Sequence, residues 1–531
     1  MSDPVFAIPR ARARLGGLGA MLLLLCGCAS LPTGFHKPES QAFEPARGGS
    51  ALASMVETGH PAGESGFRLL PTGAYAFNTR VALARRAERS LDLQYYIIHD
   101  DETGRALLGE LRAAAVRGIR VRLLIDDIAT ETMDQSLLLL STMANVEVRV
   151  FNPFTGGRSS TGARILASLG DLKRINHRMH NKSFIADGAM AVTGGRNLGD
   201  EYFMHSSRSN FIDLDVFVAG PAVTELSSVF DRYWNSDYAY PIAALVRFDQ
   251  AMADKAARMR AAPGSLGMVG ADGLAASARK DVLGYPPLAQ EMEAGKLALT
   301  WAPARVVADV PSKVAGVTDA TIDDTASGML LTLLGQAQQE VQVVSPYFVP
   351  GERGMKVMRN LHQRGVRMTV LTNSLAATDT PIVHTGYARY RLEMLQLGVQ
   401  LYELSPTRGP AKGALDLFSS SRAKLHAKTA VIDRRRLFVG SINLDARSAR
   451  TNTEQGVIID SPALAAEVLQ LLVGDKAESA FHLRLTPDRH HIEWVATTAG
   501  VESIVDDEPD ASLLLKFGLW LLAPIALEEL L

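Results

Sequence analysis

The sequence predicts an α/β fold built as two duplicated halves. Two observations carry this: strands and helices alternate along each half, and one polar pattern occurs twice. The first copy is His180-Asn181-Lys182, four residues, Asp187, six residues, then Gly194-Gly195-Arg196-Asn197. The second is His426-Ala427-Lys428, four residues, Asp433, six residues, then Gly440-Ser441-Ile442-Asn443. His to His and Asp to Asp are both 246 residues apart (426 − 180 and 433 − 187). One register shared by two copies implies a duplicated half-site rather than a chance match.

The elements follow in order. A helix is expected over 77–88 and an apolar strand over 91–98. Asp100-Asp101-Glu102 then places acids at the start of a helix reaching about 116, which suits the helix dipole. Gly118 ends it. A β-branched strand is expected over 119–125, a helix over 133–143 and a strand over 146–151. The second half repeats this order: helix 328–339, strand 341–345, helix 352–363 ending near Gly365, strand 366–371, helix 382–397 and strand 399–402. Such alternation implies a largely buried sheet. Gly118-Ile119-Arg120-Val121 matches Gly365-Val366-Arg367-Met368, so the duplication extends well beyond the polar motif.

Composition bounds the function. At 531 residues and 47% hydrophobic, the chain can bury more than one core. With 55 basic and 57 acidic residues and no long basic block, bulk charge does not point to a nucleic-acid binder. Arg10, Arg12 and Arg14 precede an apolar stretch that is short for a membrane span and right for a signal segment. It ends in Leu25-Cys26-Gly27-Cys28, similar to a bacterial lipobox in which Cys28 becomes the lipidated first residue. An ordinary signal cleaved near Ala29-Ser30, or an uncleaved anchor, are the alternatives. Cys26 and Cys28 are the only cysteines, so neither a disulfide framework nor a thiolate metal site is expected. At the other end, 512–531 is apolar but interrupted by Pro524. It is expected either at a membrane interface through Trp520 or docked as a helix on the second half.

Within each motif, His and Lys two residues apart point to one face of an extended strand. Small residues at Gly194-Gly195 and Gly440-Ser441 let backbone and asparagine approach a ligand closely. A single His or Lys is ordinarily a satisfied or solvated polar residue. Recurrence of His180, Lys182 and Asn197 as His426, Lys428 and Asn443 points to chemistry on a phosphodiester instead. Asp187 and Asp433 fall at strand ends and are expected to bond turn backbone.

These residues resemble the phospholipase D superfamily, whose signature is His-x-Lys-x4-Asp-x6-Gly-[Gly/Ser]-x-Asn, and both copies match it throughout. The flanks Tyr95-Tyr96, Asp100 to Gly104, Ser345-Pro346-Tyr347-Phe348 and Leu444-Asp445-Ala446-Arg447-Ser448, with the ending Asp507-Glu508-Pro509-Asp510 and its apolar tail, are similar to the bacterial cardiolipin synthase C-type branch. The resemblance implies two α/β sandwich halves forming a pseudo-dimer with the active site at the seam. It also implies a phosphohistidine mechanism without metal or other cofactor. His180 is then the nucleophile and His426 the acid and base. Lys182, Asn197, Lys428, Ser441 and Asn443 hold the phosphate. An orienting carboxylate after each motif is implied: Glu454 in the second half and, across a five-residue insertion, Asp213 in the first, with Asp215 as its rival.

The expected organisation is a lipoprotein signal peptide (1–27), a tether (28–70), a first half (71–240, motif 174–201), a connecting segment (241–324), a second half (325–490, motif 420–447) and a C-terminal extension with the apolar tail (491–531). The expected activity is phosphatidyl transfer of cardiolipin synthase type between membrane phospholipids, a phosphatidyl donor and a glycerol-headed acceptor. Hydrolysis to phosphatidic acid and a nuclease-like phosphodiesterase are the alternatives; a non-catalytic scaffold would need neither trio. The expected location is the cell envelope, lipid-anchored and facing the periplasm, with the outer membrane favoured. No nucleic-acid partner is expected.

Overall fold

The computed structural model describes residues 30–45, 49–57, 61–158, 160–261, 280–316, 322–408, 423–498, 500–505 and 507–522. Two sheets share one strand order. The first runs Thr300–Ala302, Ser65–Leu70, Asp215–Ala219, Met190–Gly194, Ser183–Ala186, Ser90–Tyr95, Arg120–Asp126, Val146–Phe151, Ala239–Pro241. The second runs Ala304–Ala308, Gln455–Asp460, Arg436–Gly440, Thr429–Ile432, Glu340–Val344, Arg367–Asn373, Gln400–Leu404, Ala480–Leu485, Ile492–Thr498, Val501–Val505. Eight consecutive strands correspond, from Ser65–Leu70 and Ala304–Ala308 through to Ala239–Pro241 and Ala480–Leu485. Each sheet thus carries its extra strand or strands on opposite edges.

Three neighbouring strands in each sheet are parallel, and the others antiparallel. Parallel neighbours need crossover helices, which bury both sheet faces and explain the apolar strand runs. Helix Glu102–Val116 is one crossover. Asp101 caps it by accepting from Gly104 N at 2.9 Å, and Gly118 leaves it at φ 92°. Gly351–Gln363 is its counterpart, left through Gly365 at φ 69°. Leu83, Leu107, Leu111 and Leu137 pack the outer face of the first sheet, and Leu333, Met355, Met358 and Leu361 that of the second. Between the sheets lies one shared core. Helices Pro221–Asn235 and Pro462–Ser479 contribute Leu226, Phe230, Trp234, Leu464 and Val468, packed with Val216, Val218, Val439 and Val457.

Several expectations change. Part of the tether is packed. Helix Ala51–Glu57 buries Leu52 and Ala53, and Ser65–Leu70 is a fully buried strand inside the first sheet, because its apolar side chains face cores on both sides. The connecting segment is partly sheet: Thr300–Ala302 joins the first sheet and Ala304–Ala308 the second, so the chain passes between halves at Pro303. The C-terminal extension supplies the last two strands of the second sheet. The helix expected over 382–397 is two, Pro381–Ala388 and Arg391–Gln396. The signal segment and Cys28 lie outside the described residues, as does 523–531. Helix Leu513–Leu522 packs on Pro381–Ala388, yet leaves Leu513, Leu514, Phe517 and Trp520 exposed. No described helix is long and apolar enough to cross a membrane.

Candidate active site

Each motif folds as a β-hairpin, Ser183–Ala186 with Met190–Gly194 and Thr429–Ile432 with Arg436–Gly440. Asp187 and Asp433 sit in its turn in the left-handed region, at φ 51° and 53°. Their carboxylates reach beyond their own turns. Asp187 accepts from the backbone N–H of Glu88, Arg89 and Ser90, and Asp433 from Gln338, Gln339 and Glu340. Each thereby ties its hairpin to the helix-to-strand connection of its own half.

His180 and Lys182 lie just before their strand rather than on it, and so do His426 and Lys428. The reason is pairing across the seam. His180 N donates to Thr453 O at 2.8 Å beside a Met179–Thr453 bridge. His426 N donates to Ile212 O at 2.8 Å, following the parallel pair Ala423–Leu425 with Asn210–Ile212. Each lead-in therefore borrows hydrogen bonds from the opposite half.

That exchange crosses the carboxylates. Glu454, of the second half, lies 2.9 Å from Nδ1 of His180, of the first. Asp213, of the first half, lies 2.6 Å from Nδ1 of His426, of the second. All four side chains are buried. The register supports the equivalence of the acids: Gly194 pairs with Asp215 and Gly440 with Gly456, so Asp213 and Glu454 each precede that partner by two. Asp215, the rival, is engaged elsewhere, 2.9 Å from Arg80.

The two pairs are not alike. Glu454 also accepts from Ser448 Oγ at 2.7 Å and from Ser441 Oγ. Asp213 accepts from Leu214 N at 2.8 Å and has glycine, Gly195, where Ser441 stands in the other half. A Cβ on Gly195 would come within 2.1 Å of the Asp213 carboxylate. Ser441, expected on the phosphate, thus has its hydroxyl turned to the carboxylate, because Glu454 is within its reach.

Lys182 and Lys428 donate to the carbonyls of His180 and His426. Asn197 Nδ2 donates to Tyr202 Oη at 3.0 Å. The Oδ1 atoms of Asn197 and Asn443 are buried without a partner among the described residues, a cost ordinarily removed by a ligand or water. Aromatic rings wall the histidines. Tyr96 stands edge-on to His180 at 5.0 Å and under the Lys182 ammonium at 5.3 Å. Tyr202 and Phe211 flank His426 at 5.2 and 4.9 Å. The wall and the Ser448 bond were not legible in the sequence as site features, since spacing alone assigns them no partner. Among the described residues, no cluster of three or more His, Cys, Asp or Glu could hold a metal ion.

Burial, with the two nearby lysines, brings His180 down to about 4 against the pull of Glu454. His426 is lowered too, by burial and Lys428, against Asp213. Burial brings Lys428 down to about 8 and Lys182 well below its ordinary value. Burial pushes Asp213 and Glu454 upward, but their histidines together with the neighbouring lysines, Arg196 and Ser441 hold both carboxyls below the usual range. Burial thus favours neutral imidazoles and makes the lysine charges costly to keep, an arrangement that a bound anion relieves.

A family model described as "Cardiolipin synthase, PLD-like domain" matches residues 81–234 and 330–474. The chain is 38% identical over 468 residues to cardiolipin synthase C of Escherichia coli (strain K12), covering 85% of this chain and 93% of that protein. It is 26% identical to cardiolipin synthase A of Pseudomonas aeruginosa, covering 83% of this chain and 72% of that protein. The solved phosphatidylserine synthase of Haemophilus influenzae Rd KW20 has a TM-score of 0.55 at 12% identity, covering 88% of this chain and 95% of that one. At that identity the likeness is one of fold. With the motif present twice and its two copies meeting at one seam, the chain belongs to the cardiolipin synthase family of the phospholipase D superfamily.

Proposed function

We propose that this protein transfers a phosphatidyl group from one membrane phospholipid to a glycerol-headed lipid through a phosphohistidine. The observation that carries the reading is the crossed arrangement, His180 on Glu454 and His426 on Asp213, beside two buried lysines. A carboxylate accepts only, so each Nδ1 carries the proton and each Nε2 presents a lone pair or a second proton toward the substrate.

Nε2 of His180 attacks phosphorus, and the bond from phosphorus to the head-group oxygen breaks. His426 gives its Nε2 proton to that departing oxygen. It then removes the proton of the acceptor hydroxyl, which attacks phosphorus and releases His180. Lys182, Lys428, Asn197 and Asn443 hold the non-bridging oxygens as charge develops. The anionic diester raises the lysines and His426, which burial had lowered, so binding itself charges the acid.

The nucleophilic role of His180 is supported by burial, which brings it down to about 4 and so keeps its Nε2 lone pair free. Glu454 is shared with two serine hydroxyls and supports an imidazolium less than the less-shared Asp213 does. The lipobox-like Leu25-Cys26-Gly27-Cys28 and the exposed apolar side chains of Leu513–Leu522 support placing the enzyme at an envelope membrane, anchored through lipid on Cys28.

Purified protein on mixed vesicles, with and without phosphatidylglycerol, tests the reading by mass spectrometry of the lipid products. A new diphosphatidyl lipid that depends on phosphatidylglycerol is expected. Phosphatidic acid as the only product would replace transfer by hydrolysis.

A further inference from the structure

Hydrogen bonds align the two halves residue by residue. Asp187 holds Glu88 as Asp433 holds Gln338, and the bridges Ile98–Leu198 and Phe348–Leu444 correspond. Ahead of the first parallel strand the offset is 250 (338 − 88), which pairs Phe77 with Ser327. After the motif asparagines it is 246 (443 − 197), which pairs Phe203 with Ala449.

In the first half this space is full. Phe77 and Phe203 are buried with ring centroids 5.5 Å apart, and the Arg80 guanidinium lies 5.5 Å over Phe203. The Phe203 backbone presses on Gly73, where a Cβ would come within 2.6 Å. In the second half, with Ser327 and Ala449 in place of the two rings, the same position is a cavity of about 160 Å³. Leu331, Phe348, Val357 and Met358 make it apolar, and Asn443, Leu444 and Asp445 form its wall. The cavity thus adjoins the candidate active site at Asn443, a residue of both, whose Oδ1 is buried and unpartnered among the described residues.

We propose that this cavity receives one acyl chain of the phospholipid whose phosphate lies at the histidine pair. The proposal rests on the phosphatidyl-transfer reading and names a lipid subsite for it. An apolar cavity near 150 Å³ admits a ring the size of benzene, so about six chain carbons fit. Each methylene taken from water is worth about fourfold in binding. Because only one half is hollow, the cavity also sets which way round the diester lies at an otherwise two-fold site.

The test restores the first half's side chains. Ser327→Phe, Ala449→Phe and the double variant of the full chain are assayed on phosphatidylglycerol with long or four-carbon acyl chains. The preference in kcat/KM for long over short chains is expected to fall about tenfold or more, as two lost methylenes require. A preference within about twofold of the parent's, in variants that stay active, would overturn the proposal. Should the variants not fold, the parent decides. Vesicles carrying phosphatidylglycerol with a diazirine at about the sixth acyl carbon are expected to label Leu331, Val357 or Met358. Labelling that misses all three overturns the proposal. A parent protein that labels there yet turns over no phospholipid refutes the transfer reading and leaves the cavity assigned to an acyl chain.

Discussion

Glu454→Gln separates the two histidines' roles. Glu454 is fully buried and reaches His180 Nδ1 at 2.9 Å and Ser448 Oγ at 2.7 Å. Glutamine keeps the volume but removes the charge and introduces a donor. With its amide nitrogen toward His180, the imidazole must accept at Nδ1 and carry its proton at Nε2, which leaves no lone pair for attack on phosphorus. Loss of the orienting carboxylate in a Ser-His-Asp triad costs about 10⁴ in kcat for the same reason. A loss of about 10³ to 10⁴ is expected here, without loss of fold, because no large side chain is removed. The assay uses a phosphatidyl substrate with a nitrophenol leaving group in a rapid-mixing experiment. Nitrophenolate departs without protonation, so the burst reports attack by His180 alone. Glu454→Gln should abolish the burst. Asp213→Asn should spare the burst and slow the steady state, since His426 is then needed only to activate the acceptor. A burst in Glu454→Gln within about tenfold of the parent's, or its loss in Asp213→Asn alone, would refute the assignment.

The pH profile follows from the same pairs. Activity requires neutral His180, so kcat/KM should rise as pH passes about 4. It also requires protonated His426, so kcat/KM should fall again below the ordinary histidine range, because burial and Lys428 lower that group. The alkaline limb of kcat should lie higher, as the bound diester offsets the lysines; an alkaline limb of kcat/KM above about pH 8 contradicts this. Asp215→Ala removes the carboxylate that buried Arg80 and Arg196 both reach and should cost about 3–5 kcal/mol in denaturant unfolding; a loss under about 1 kcal/mol counts against it. Cys28→Ser should block processing, read by mass spectrometry of the mature N-terminus; cleavage at the unchanged place would mean an ordinary signal site. Removal of 512–531 should lower turnover on vesicles more than on short soluble substrates, or shift products to phosphatidic acid, and equal losses on both would count against a membrane role for the exposed Leu513, Leu514 and Trp520.

The sequence by itself determined the duplication, the alternation of strand and helix, and which residue types converge. Those features are local: a hairpin is specified by its own turn, and Asp187 or Asp433 recurs because each hairpin must be tied to its own half in the same way. Even the five-residue insertion before Asp213 was legible, since flanking repeats bracket it. Local composition misled at the edges. Residues 49–70 are rich in small residues, yet Leu52, Phe67, Leu69 and Leu70 find apolar partners far along the chain and pack. Only the tertiary structure decided the crossing of the carboxylates, which joins Glu454 to His180 across 274 residues and Asp213 to His426 across 213. It also turned the Ser441 hydroxyl to Glu454, and left hollow beside Ser327 and Ala449 what Phe77 and Phe203 fill. No spacing encodes these. They arise because each motif's lead-in completes its backbone hydrogen bonds on the opposite half, so the partner of each histidine is set by how the halves dock.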